Sequence, residues 1–161
     1  MEKFKQLTQW QKMGVIAAIL VILGGGTYFH LSHMVPKRVP GQAYVYHSVA
    51  KKKQLYVAFS RNTNKAVVDT DQKVVKKAMQ NEANFNAAYQ AQVDNGDTWQ
   101  YKVEGSKLTL AETKDGNVSQ WQYNGVLATK NHLYTHGFSY QISQAGQGKV
   151  NNWTKFTRLD D

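Results

Sequence analysis

DTWQYKVEGSKLTLAETKDGNVSQWQYNGVLATKNHLYTHGFSYQIS, residues 97–143, alternates apolar and polar side chains in short runs that break at EGSK, KDGN, NG and KN. Alternation of period two marks strands with one buried face. Glycine and asparagine at the breaks tolerate the positive φ that tight hairpins require. The stretch predicts strands near 97–103, 107–113, 117–123, 126–129 and 132–142, joined as an antiparallel meander, with a last strand in NWTKFTRL (152–159). No period long enough for a repeat architecture is present.

Working upstream, QAYVYHSV (42–49) and QLYVAFSR (54–61) read as two more strands. Their alternation is expected to bury Ala43, Val45 and Val49 on one and Leu55, Val57 and Phe59 on the other. Tyr44, Tyr46 and Tyr56 are then expected to face outward. AKKK (50–53) is the polar connection between them, and KAVVD (65–69) is a short third strand. Asp69 or Thr70 is expected to cap a helix. Along that helix Val75, Ala78, Met79, Glu82, Phe85 and Tyr89 fall on one side and Lys73, Lys76, Lys77 and Gln80 on the other, so it is expected to cover a sheet. A lysine face of this kind is more often solvated than functional.

The N-terminal run MGVIAAILVILGGGTYFHL (13–31) carries no charge, and none occurs between Lys12 and Lys37. A spanning helix needs roughly 20 apolar residues. Trp10 and Tyr28 would stand about 27 Å apart along it, close to the separation of the two interfacial aromatic belts. A buried core helix would not be this free of polar residues at the end of a strand-rich chain. Val15–Leu23 has the length of a signal-peptide core, with Gly24 and Gly26 as small residues before a cut, but no A-x-A site follows and the apolar run continues, which favours an uncleaved signal anchor. Lys3, Lys5 and Lys12 bias the short head toward the cytoplasm against Lys37 and Arg38 at the far end. The expected class is therefore α+β: an N-terminal transmembrane helix followed by an antiparallel β-meander or partly open barrel with one amphipathic helix. It divides into a cytoplasmic head (1–12), a transmembrane signal anchor (13–34), an extended linker VPKRVPG (35–41) stopped by two prolines and a glycine, and an extracytoplasmic β-rich domain (42–161). The expected location is the cell membrane, with a single pass.

The chain has no cysteine, which excludes thiol nucleophiles, disulfides, cysteine zinc sites and a lipid-modified N-terminus. About 125 exported residues can fold without disulfides. WQYKVEGSKLTL, with DGNVSQWQYNG after it, resembles the hairpins of small membrane-anchored or lipoprotein β-domains, some of them lipocalin-like, on Gram-positive cell surfaces. The resemblance covers roughly residues 97–125 and implies a ligand-holding β-sheet or barrel, with no catalytic residues to carry over.

Motifs of catalysis are sparse. Ser48–Lys51 reads SVAK, an S-x-x-K match, but the companion S-D-N and K-T-G patterns are missing and the match closes an expected strand. His132 and His136 share a strand, where positions four apart lie about 13 Å from each other, too far for one metal ion. His30 and His33 on the anchor are expected to pack at the interface. No enzymatic activity, cofactor or metal is expected.

Charge is unevenly spread: ten Lys or Arg against two Asp in residues 36–80, seven against eight acids in 81–161, within a net charge of +9. Lys37, Arg38, Lys51, Lys52, Lys53, Lys73, Lys76 and Lys77 are the candidate polyanion-binding set, for anionic wall polymer or lipid headgroups; a glycan or a protein partner is the other expectation, and nucleic acid is not expected. The leading class is a membrane-anchored, non-catalytic envelope binding module. The alternative is a lipocalin-like carrier whose cavity for a small apolar ligand is lined by Trp99, Tyr101, Trp121 and Tyr123.

Overall fold

A computed structural model describes residues 9–142 and 146–159. The head, with Lys3 and Lys5, lies outside the described residues. Helix α1 (Gln9–His33) contains the uncharged run, and its stretch Met13–His33 is long and apolar enough to cross a membrane, bare along most of its length and buried only at Ser32 near its end. Its outward Ile, Leu, Val, Tyr and Phe side chains account for most of the large apolar surface left bare. Ser32 Oγ and Thr27 Oγ1 each donate back to a carbonyl of the preceding turn, which satisfies them without a partner helix.

The expected extended spacer is instead one helical turn, α2 (Val35–Arg38), with Pro36 in its first turn, where a missing N–H costs nothing. Val35 and Val39 are fully buried. The turn is a plug at the foot of the domain rather than a tether.

Nine strands follow: β1 (Ala43–Ser48), β2 (Lys53–Phe59), β3 (Lys65–Asp69), β4 (Asp97–Glu104), β5 (Lys107–Lys114), β6 (Asn117–Asn124), β7 (Leu127–Ala128), β8 (His132–Ile142) and β9 (Gly146–Arg158). Each pairs antiparallel with the next through β6; β6 and the two-residue β7 share one edge of β8, β8 pairs β9, and β9 returns to β1 through Tyr44↔Arg158 and Tyr46↔Phe156. The meander thus closes into an eight-stranded barrel, β3 and β4 joining through two residue pairs, whereas the expectation from sequence was a meander or a partly open barrel. Closure removes the unpaired N–H and C=O groups that an open sheet presents. The KDGN turn behaves as its residues require, with Asp115 at φ 50° and Gly116 at φ 78°.

An eight-stranded barrel leaves an interior just wide enough for side chains to fill. Here Tyr44, Tyr46, Phe59, Trp99, Tyr101, Leu108, Leu110, Trp121, Tyr123, Leu133, Phe138 and Phe156 fill it. The expected facing of β1 is therefore corrected: Tyr44, Tyr46 and Ser48 point inward and Val45 outward. In β1 Ala43 and Val45 alternate with Tyr44 and Tyr46, and the larger rings took the interior because they remove more apolar surface from water. Tyr56 on β2 does face out, half-buried under the helices.

The one expected helix is two, α3 (Gln72–Gln80) and α4 (Glu82–Asp94), split at Asn81, whose extended backbone starts a new helix and whose side chain accepts from Asn84 N. Asp71, one residue beyond the expected positions, caps α3 by accepting from Lys73 N. Val75, Ala78 and Phe85 pack on the outside of β1–β3 against Ala43, Ala58 and Val67.

Candidate functional site

The strands define two ends. The foot carries α2, the β2–β3 turn and the C-terminal end of β9; the far mouth carries the β1–β2 turn and the starts of β4 and β6.

At the far mouth, period-two alternation along β5 points Leu108, Leu110 and Glu112 inward, so a carboxylate sits 6% exposed at the top of an aromatic core. Its partner arrives from the β1–β2 turn. Lys52 there holds φ 50°, an uncommon value for a side-chain-bearing residue. Ser48 Oγ accepts from Lys51 N at 3.2 Å, and the Lys51 ammonium reaches over the mouth to Glu112 Oε1. Lys51 Nζ also lies 5.1 Å from the Trp99 ring centre and 5.5 Å from that of Trp121, and the two indoles stack at 5.2 Å. An ammonium over two indole faces gains cation–π attraction in addition to its ion pair. The S-x-x-K match is thus a turn bond and a lid: Ser48 closes the hairpin and Lys51 engages Glu112.

Two groups of residues read separately from the sequence meet here, Lys51 of the basic set and Trp99 and Trp121 of the aromatic set. Tyr101 lies toward the foot, against Phe59 at 4.8 Å, with its hydroxyl donating to Ser60 O at 2.6 Å. Tyr123 packs centrally against Phe156 at 5.0 Å and Phe138 at 5.2 Å. A depression of 280 Å³ outside the lid is bordered by Lys53, Asp69, Asp97 and Lys114, of mixed sign.

The rest of the basic set is dispersed. Lys52 and Lys53 are exposed at the far mouth, Lys73, Lys76 and Lys77 on the outer face of α3, and Lys37 and Arg38 at the foot. Only the α3 lysines share a surface by their own helix. A different cationic grouping forms at the foot, where a cleft of 540 Å³ is bordered by Arg61, Lys76 and Arg158 together with Gln42, Gln80, Met79 and Leu159. Arg61 and Arg158 come from opposite ends of the barrel sequence, joined by the β9–β1 closure, so no local pattern announced them. Glu112 did have a signal: it continues the apolar alternation of KLTLAETK.

His132 and His136 are separated along β8 and pack against Tyr134 and Trp153, respectively. A bulge sets Asn152 and Trp153 of β9 opposite His136. No group of three or more acidic or histidine ligands is assembled among the described residues. No protein-family model, curated protein or solved structure matches the chain.

The lid makes a stability prediction. Lys51→Met should leave Glu112 buried without its counter-charge. Breaking a buried pair from one side costs about 3–5 kcal/mol, and the partly exposed Lys51 brings the expected loss to about 2–3 kcal/mol. Lys51→Met with Glu112→Leu should recover most of that, since an apolar pair of similar volume is often neutral. Urea midpoints of the two variants check this; a double variant no better than the single one would show that the ion pair is not the cause.

Proposed function

We propose that the chain is a membrane-anchored, non-catalytic binding module that carries its barrel outside the cytoplasm and binds anionic polymer through the barrel's exterior. The observation carrying this reading is the packed interior: Trp99, Trp121, Tyr123 and their neighbours occupy the volume in which a lipocalin-like carrier would hold its ligand. Recognition then belongs to outer surfaces, and those carry the excess positive charge of the chain. The bare apolar helix at the foot supplies the anchor. Its orientation follows from the short lysine-bearing head, which is harder to move across a membrane than a long C-terminal segment.

The test uses the full chain in phosphatidylcholine vesicles with a poly(glycerol phosphate) polymer. Binding is expected to weaken steeply with salt, because the screening length falls to about 8 Å at physiological ionic strength. Replacing Lys52, Lys53, Lys73 and Lys77 with glutamine should lower affinity by about tenfold or more, at roughly 1 kcal/mol for each well-placed cation. Lys51 stays in place because it holds Glu112. In cells, protease added outside should remove the barrel. Polymer binding indifferent to salt and to the four substitutions would refute the polyanion reading, and a barrel fully protected from protease would refute the export reading.

A further inference from the structure

The cleft at the foot of the barrel is a second cationic surface with a different position and a different composition. Arg61, from the β2–β3 turn, lies flat on Gly41, whose φ of 69° turns the backbone toward it; a Cβ at Gly41 would come within 2.8 Å of Arg61 Nε. Lys76 of α3 also borders the cleft. Arg158 closes the floor from the end of β9, with its backbone N bonded to Asn131 O and its Nε buried and unpartnered among the described residues. Arg38, one turn past the membrane helix, also has a buried, unpartnered Nε, and its carbonyl accepts from the Tyr44 hydroxyl. The charges of Arg38 and Arg158 both pull the Tyr44 hydroxyl's pKa down against the effect of burial.

No Asp or Glu borders the cleft among the described residues, and none of Arg38, Arg61, Lys76 and Arg158 forms an ion pair among them. Arg61, Lys76 and Arg158 around a concave site, with Gln42 and Gln80 beside them, are chemically complementary to a phosphate. Ala43, Met79 and Leu159 add apolar lining, which a free phosphate does not need and a glycerolipid does. Gly41, which borders the cleft, follows α2 and so lies at the end of the barrel where the chain enters it from α1.

We propose that the foot cleft binds the phosphodiester headgroup of an anionic lipid, with Arg61 and Lys76 contacting the phosphate and Arg158 setting the floor. The proposal rests on the reading of α1 as a membrane anchor. A bound headgroup would fix the barrel's foot against the leaflet that α1 enters, adding a second attachment to the α2 plug and setting the angle at which the outer surfaces are presented.

The experiment uses the full chain in nanodiscs of phosphatidylcholine with a minor fraction of phosphatidylglycerol, and counts the lipids retained on release by native mass spectrometry. Wild type is expected to keep phosphatidylglycerol in preference to phosphatidylcholine. Arg61→Gln and Lys76→Gln should each reduce that retention about fivefold, the equivalent of one well-placed cation at a charged surface. Lys149→Gln, at an exposed position on the far half of β9, should leave it unchanged. Arg158 is left intact because its half-buried side chain also packs the foot. Equal retention of the two lipids, or retention unaffected by Arg61→Gln and Lys76→Gln, would overturn the site while leaving the anchor standing. Inorganic phosphate binding as tightly in discs of phosphatidylcholine alone would reassign the cleft to free phosphate and overturn the lipid. Failure of the chain to enter discs of phosphatidylcholine alone would instead overturn the anchor, and the proposal with it.

Discussion

Raising the pH above 10 is expected to unfold the barrel cooperatively, with tyrosine ionisation as the driving step. Burial pushes the Tyr44 hydroxyl up from 10.0 to about 12, against the opposing pull of Arg158 and Arg38. Burial also pushes Tyr46 and Tyr123 up, and the two rings meet edge-on in the core at 6.2 Å. A raised value in the folded state means that, above pH 10, the unfolded chain holds fewer protons than the folded one. The stability these groups contribute is therefore complete below their ordinary value and is lost as pH climbs toward the folded values. Each such tyrosine removes about 1.4 kcal/mol per pH unit across that window, so three remove about 4. About 8 kcal/mol is then lost over the two units above pH 10, enough to unfold a domain in the lower half of the usual 5–15 kcal/mol range.

The check is an alkaline titration followed by circular dichroism and by phenolate absorbance. Tyr44, Tyr46 and Tyr123 should ionise only within the unfolding transition. Tyr46→Phe should move the midpoint upward, since it removes a group that must ionise. Phenolate signals from all 9 tyrosines appearing while the barrel remains folded would contradict the burial argument.

How far the sequence reaches is visible in where it failed. The meander from β4 to β8 was legible because each strand has one face against the core and one against water, so alternation and turn chemistry agree. β1 was misread because both sets of alternate positions begin apolar, Ala43 and Val45 on one side and Tyr44 and Tyr46 on the other, and periodicity cannot choose between them. Closure was beyond reach because β9 pairs with β1 across more than 100 residues, and no local signal records such a pairing. The candidate sites depend on closure in the same way. Lys51 was legible as a cation but not as a lid, because Glu112 comes from a strand 61 positions away. Arg61, Lys76 and Arg158 meet only after the barrel and its helices are in place.

Phe156→Ala is expected to be among the most damaging single substitutions in the chain, and it tests the premise on which the proposed function stands. Phe156 is fully buried. Its ring stacks on Tyr46 at 4.5 Å and 22°, and meets Tyr123 edge-on at 5.0 Å and Tyr44 at 6.5 Å. It therefore joins β9, the closing strand, to β1 and β6 across the interior. Truncation of a buried phenylalanine costs about 3–5 kcal/mol, because the transfer loss is compounded by a cavity that the barrel wall cannot collapse to fill. Phe156→Leu, which keeps most of the volume, should cost less than half of that. Urea unfolding measures both. The cavity itself gives the sharper readout, since an apolar void in a rigid core stays dry and accepts a small apolar guest. Benzene should raise the unfolding midpoint of Phe156→Ala and leave that of the wild type unmoved. A wild-type barrel stabilised by benzene to the same degree would have room inside already, and a module that binds through its exterior would have to give way to one that carries a ligand within.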